Sequence, residues 1–190
     1  MNFIKKAVAA FFDFLQGIVV IMAIMVMIYL FIMSPQEISG ASMEPNFHNG
    51  EYILTNKIIY KFKEPIRGDV VIFKSPKNKD VDYIKRIIGL PGDTVKLENN
   101  SFYVNGVKIE EPYEPADMPI YGGSFLEEGA EIIVPDGQYF VSGDNRPHSS
   151  DSREFGPIAK EEFIGQAFFR YFPVSQLGLI VRPTYSVDQQ

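Results

Sequence analysis

Three short stretches hold residue types that can do covalent or acid–base chemistry. The first, Ser39-Gly40-Ala41-Ser42-Met43-Glu44-Pro45, sets a serine among small and rigid residues that permit a tight turn and close approach of a substrate backbone. A serine hydroxyl is a poor nucleophile at neutral pH and needs a base beside it. The second, Tyr83-Ile84-Lys85-Arg86-Ile87-Ile88-Gly89-Leu90-Pro91-Gly92-Asp93, supplies a candidate base. Lys85 stands in a strand-like run among isoleucines, and burial of an ammonium lowers its pKa. From a reference value near 10.4, roughly one lysine in a few thousand is neutral at pH 7, so a base role needs a pKa several units lower, at about 1.4 kcal/mol each. The third stretch, Gly143-Asp144-Asn145-Arg146-Pro147-His148-Ser149-Ser150-Asp151-Ser152-Arg153, crowds charges among turn formers, with serines that can orient a neutral amine. Each stretch also has a plainer reading: a loop serine making a turn bond, an edge lysine reaching to water, and a self-satisfied set of ion pairs.

The elements that must position these residues are mostly strands. Tyr52–Leu54, Asp69–Phe73, Asp82–Ile88, Thr94–Glu98 and Gly137–Ser142 carry β-branched or aromatic residues between turn formers. Residues 102–109 (FYVNGVKI) predict a hairpin, because Asn105-Gly106 supplies the positive φ angles of a type I′ turn. No stretch beyond the first 33 residues shows a long helical period. Residues 99–135, with Glu110-Glu111-Pro112, Pro115, Pro119 and Gly122-Gly123, are poorer in strand pattern and read as an inserted cap or lid. Residues 182–190 read as a loose tail.

Ahead of the β region, residues 14–33 carry no charge, and 20 residues at about 1.5 Å each reach roughly 30 Å, enough to cross a bilayer. Lys5 and Lys6 precede this run while Glu37, Glu44 and Glu51 are the first charges after it, which places the N-terminus in the cytoplasm. The expected organisation is a cytoplasmic 1–13, an anchor at 14–33, an extracytoplasmic β core of 34–98 and 136–181, and the insertion at 99–135. A cleavable leader is the competing reading, since Ser39-Gly40-Ala41 has a small-x-small form. The apolar run is about twice the usual length of a leader's apolar region, however, and ends well before Ala41. Asp13, at the fringe of the span, needs no function. The 190 residues contain no cysteine, which excludes thiolate nucleophiles, disulfides and cysteine-held zinc, and the net charge of −6 argues against nucleic acid as a partner.

In this order, after an N-terminal anchor, the three stretches resemble the type I signal peptidases of the peptidase S26 family, membrane-bound serine endopeptidases that remove signal peptides from exported preproteins. Size and a single anchor look like the Gram-positive form. The resemblance implies a β-rich catalytic domain in the cell membrane and a Ser/Lys dyad, with Ser42 as nucleophile and Lys85 as general base. It also implies that Ser149 hydrogen-bonds the lysine while Asp144, Asp151 and Arg153 support the site. The oxyanion would rest on the Ser42 backbone N–H. Gly40 stands where some members have a second serine donor, so its contribution is open. Ile38, Met43, Ile53, Tyr83 and Ile84 are the expected pocket residues for small substrate side chains, with core packing the main role for Ile53. No cofactor or metal is implied, and the partners would be signal peptides, the lipid bilayer and, nearby, the export machinery.

Three rivals remain at this point. One is a Ser-His-Asp triad using His148 with Asp144 or Asp151. Another is the cytosolic self-cleaving repressor group, which shares the dyad but begins with a DNA-binding module. The last is an inactive or regulatory membrane-anchored homologue.

Overall fold

The computed structural model describes residues 2–115 and 118–189. It opens with helix α1, Asn2–Phe31, which takes in the apolar run and the residues before it. The helix is long and apolar enough to cross a membrane, and its apolar stretch is not buried by the other described residues. It stops at Phe31, short of the expected residue 33, because Met33–Glu37 leaves the helix to form strand β1. No basic residue stands in its last turn, but Lys57 Nζ donates to the Leu30 carbonyl at 2.9 Å and so satisfies one free C-terminal acceptor.

The rest is mostly β, as the alternation predicts. After β1 come β2 (Tyr52–Asn56), β3 (Val70–Lys74), β4 (Asp82–Gly89), β5 (Thr94–Glu98), β6 (Ser101–Val104), β7 (Val107–Lys108), β8 (Glu131–Ile133), β9 (Gln138–Ser142), β10 (Ile158–Ala159), β11 (Phe163–Phe172) and β12 (Gly178–Leu179). The larger sheet runs β1-β2-β11-β3-β4-β9-β10 with β12 alongside β11, and every pairing in it is antiparallel. Both its faces are covered. On β3, Val70 and Ile72 join Ile38, Met43, Phe47 and Ile53 on one side, while Val71 and Phe73 join Ile87, Tyr139 and Val141 on the other. That explains why residues 70–73 are continuously apolar rather than alternating.

The smaller sheet, β7-β6-β5-β8, contains the expected hairpin, with Asn105 at φ 52° and Gly106 at φ 78°. It also takes in Thr94–Glu98, which the sequence reading assigned to the core before residue 99. Val95 and Leu97 pack with Phe102, Val104 and Leu126 in a second core that reaches the larger sheet through Ile88 of β4 and Phe140 of β9. Residues 182–189 differ from expectation more sharply. Tyr185 is fully buried in that second core, its hydroxyl 2.9 Å from that of Tyr113, and Asp188 pairs with Arg67 at 2.9 Å. The segment is polar in sequence, but one aromatic and one carboxylate pin it down.

Candidate active site

Ser42 lies in the turn after the end of β1, half-buried. Lys85 sits in the middle of β4 opposite Val71 of β3, with only 3% of its surface exposed. The turn after β1 and the strand β4, four positions apart in the sheet order, are brought together here: Lys85 Nζ lies 2.8 Å from Ser42 Oγ and 2.9 Å from the Ile84 carbonyl oxygen. The ring of Tyr83, two residues back on the same face, is 5.1 Å from the ammonium. Among the described residues no carboxylate bonds this amine. Burial therefore dominates and brings its pKa down from 10.5 to about 8, against the weaker upward pull of Asp151 and Asp144.

The third stretch surrounds the pair. Asp144 takes both Arg86 Nε (2.9 Å) and Nη2 (2.6 Å), and Asn46 Nδ2 donates to the same carboxylate at 2.9 Å. Asp151 accepts from Arg153 Nη2 (2.7 Å), Ser142 Oγ (3.0 Å) and the Gly143 N–H (3.1 Å). Burial alone would push the Asp151 carboxyl up, but these donors, Arg153 first, hold it below the usual carboxylate range. Arg153 also reaches the carbonyls of Arg146 (2.7 Å) and Tyr121 (2.8 Å). Both aspartates and both arginines are nearly or fully buried, so the loop is held by charge-assisted bonds in a dry setting. A side chain at Gly143 would collide with the Ser42 carbonyl and Ser149 Oγ, so only glycine lets the two loops approach this closely.

A cleft of about 380 Å³ opens at Ser42 and Lys85, walled by Ile38, Ile53, Ile72, Tyr83 and Ile84 and rimmed by Gln36, Asp82, His148 and Ser150. A larger cavity, about 470 Å³, lies on the Arg86 face and touches neither Ser42 nor Lys85, so it is not where this chemistry sits. Four of the five expected pocket residues line the first cleft. Met43 does not: it is buried beneath the serine turn with Phe47 and Val70, plugging the core.

One further expectation differs from the structure, and one question left open by the sequence is narrowed. Ser149 Oγ does not bond Lys85, whose two hydrogen-bond partners among the described residues are Ser42 and Ile84; it faces the Asp151 carboxyl instead and helps hold it low. The Gly40 N–H is taken by Asn49 Oδ1 at 2.9 Å, which leaves it no free donor for an oxyanion. The histidine triad also fails on geometry. His148 is exposed at the cleft rim, and Asp144 and Asp151 are committed to Arg86 and Arg153.

The family model described as "Signal peptidase, peptidase S26" matches residues 11–172. The chain belongs to this family. Signal peptidase IB of Staphylococcus aureus is 36% identical over 182 residues, spanning 90% of this chain and 94% of that protein. Signal peptidase I of Bacillus licheniformis is 36% identical over 170 residues, 87% of this chain and 91% of that protein. A crystal structure of a signal peptidase I from Enterococcus faecalis is 34% identical and covers 55% of this chain and 97% of its own, with a TM-score of 0.46. Membership in the signal peptidase family makes the chain a hydrolase of the serine peptidase class.

Some residues around this peptidase site carried no signal that sequence reasoning could use. Asn46 binds Asp144 and the Tyr113 carbonyl, and Glu111 and Glu114 clasp the buried Arg146 at 2.5 and 2.6 Å. These partners are 32 or more positions apart in the chain, so nothing local marks them. Asn145 stood inside a stretch singled out for its density of polar groups, but spacing assigned it no task.

Proposed function

We propose that the protein is a membrane-anchored serine endopeptidase that removes N-terminal signal peptides from exported preproteins after small-x-small sites of the Ala-x-Ala type. Ser42 is the nucleophile and Lys85 the general base. The observation that carries this reading is the 2.8 Å approach of Lys85 Nζ to Ser42 Oγ by an amine whose pKa burial has lowered to about 8. At that value about one lysine in ten is neutral at pH 7, against one in a few thousand for a free lysine. In the neutral form the same contact runs the other way, with the Ser42 hydroxyl donating to Nζ.

Ser42 Oγ then attacks the carbonyl carbon of the last signal-peptide residue as its proton passes to Lys85. The tetrahedral intermediate collapses as the lysine returns that proton to the departing amine, and water activated by the same lysine releases the acyl group. The apolar cleft walls at Ile38, Ile53, Tyr83 and Ile84 suit small substrate side chains. Asp144, Asp151, Arg153 and Ser149 hold the loop on which this depends.

Helix α1 serves as a single-pass anchor, with Lys5 and Lys6 on the cytoplasmic side and the β domain outside the cell membrane. Ser42 follows Met33 by nine residues, so an extended link holds it within about 30 Å of the bilayer. A signal peptide lies in the same bilayer, so enzyme and substrate share two dimensions and their effective concentration rises. The bilayer and, nearby, the export machinery are its partners, and the smaller sheet with residues 99–135 forms the cap.

The test is cleavage of a preprotein with an Ala-x-Ala site by the purified chain. Ser42→Ala and Lys85→Ala are each expected to lower kcat by at least about 10⁴-fold. Retained processing by Ser42→Ala overturns the reading and leaves a non-catalytic role for the site.

A further inference from the structure

The tetrahedral intermediate needs a donor for its oxyanion, and Gly40 offers neither a side chain nor a free N–H. The Ser42 N–H, carried by the nucleophile itself, bonds no acceptor among the described residues and is free to take that role. A lone backbone donor is only as good as the rigidity of the peptide unit that carries it. In a trans peptide the C=O and N–H point in opposite directions within one plane. Whatever fixes the Ala41 carbonyl therefore fixes the Ser42 N–H.

Two donors do this: the Glu44 N–H closes the turn onto the Ala41 carbonyl oxygen at 3.2 Å, and Asn145 holds the same oxygen from the opposite loop. Its Nδ2 donates to the Ala41 carbonyl oxygen at 2.9 Å, and its own backbone N–H donates to the Ser42 carbonyl oxygen at 3.0 Å. One residue thus holds the peptide units on both sides of the Ser42 Cα. Asn145 is itself anchored by its surroundings. It is 8% exposed, and it lies between Asp144, gripped twice by Arg86, and Arg146, gripped by Glu111 and Glu114. A hydrogen bond accepted at a peptide carbonyl also polarises the unit and strengthens its N–H as a donor.

We propose that Asn145 is a positioning residue for the oxyanion, acting through the Ala41–Ser42 peptide rather than by touching substrate. The inference rests on the dyad reading above. Its contribution belongs to the transition state, because only there does the oxygen carry charge.

The experiment compares wild type, Asn145→Ala, Asn145→Asp and Ser42→Ala on a peptide substrate with an Ala-x-Ala site, on the alkaline plateau. Asp keeps the side-chain volume while replacing the donor with an acceptor, which covers the case in which the alanine variant folds poorly. Both Asn145 variants are expected to lose about 10- to 100-fold in kcat with KM within twofold, in line with the cost of misplaced or missing oxyanion donors. Affinity for a peptide boronate, which forms a tetrahedral adduct on Ser42 Oγ, is expected to fall by the same factor. Affinity for the peptide whose scissile carbonyl is replaced by CH2 is expected to stay within twofold, since it has no oxygen to place. Equal loss of both affinities, or kcat within twofold of wild type while Ser42→Ala is inactive, overturns the Asn145 assignment alone. Activity in Ser42→Ala removes the dyad reading beneath it.

Discussion

Lys85 and Arg86 are neighbours on β4 whose side chains face opposite sides of the sheet, and both are 3% exposed. Equal burial ends in opposite protonation behaviour. On the Arg86 face, burial alone would lower the pKa, but the two-point grip of Asp144 more than reverses it and the guanidinium stays charged. On the Lys85 face no carboxylate makes such a bond, and burial wins. What separates a structural cation from a base on this strand is therefore the partner and not the depth. The Asp144 and Asp151 carboxylates lie near enough to pull Lys85 upward, but each is spent on an arginine.

The contrast breaks most visibly if Asp144 is removed. Asp144→Ala leaves Arg86 charged, buried and unpaired, and is expected to cost about 3–5 kcal/mol of stability in denaturant unfolding. A cost below about 1 kcal/mol would mean that Arg86 does not depend on its partner.

On the other face the sign is reversed. Lys85 has a folded pKa of about 8 against 10.5 unfolded, so between those values the unfolded chain holds a proton that the folded one lacks. The lysine thus contributes least to stability below about pH 8, and its contribution rises with pH through that window. Lys85→Met is expected to be more stable than wild type at pH 7 by up to about 3 kcal/mol, at 1.36 kcal/mol per pKa unit, with the gap closing by pH 11. Denaturation curves of the two proteins at both pH values check this, and a destabilised Lys85→Met would show that the amine is not penalised by its surroundings.

Much of this arrangement was legible before the structure. Strands β2 to β5 and β9 follow from alternation and turn residues, and Ser42 and Lys85 stood out by residue type and setting. Strand β11 did not, because bulges between Ala167 and Phe169 and between Arg170 and Phe172 break the period of two that marks a strand. Strand β1 was hidden by Pro35, which a sheet tolerates because β1 lies at its edge. Tyr185 and Asp188 gave no sign that they pin the C-terminal segment. Within the site, side-chain direction was the unreadable quantity: Met43 turns into the core and the Gly40 N–H turns to Asn49. Both outcomes depend on loops far apart in the chain, and local pattern does not encode them.

The smallest expected effect concerns the cleft rim. His148 lines the cleft but bonds neither Ser42 nor the aspartates through its ring among the described residues. His148→Ala is expected to change kcat/KM by less than about threefold, and a loss approaching that of Lys85→Ala would move the base from lysine to histidine.

The central claim is that an unpaired, buried lysine takes the proton from Ser42, and the pH dependence of kcat/KM on an uncharged Ala-x-Ala peptide tests it most directly. Because the neutral amine is the active form, the rate is predicted to rise with pH to a plateau, with a midpoint near the Lys85 value of about 8. A midpoint near 6.5, the range of an ordinary histidine, or a rate that falls through this window would contradict the account.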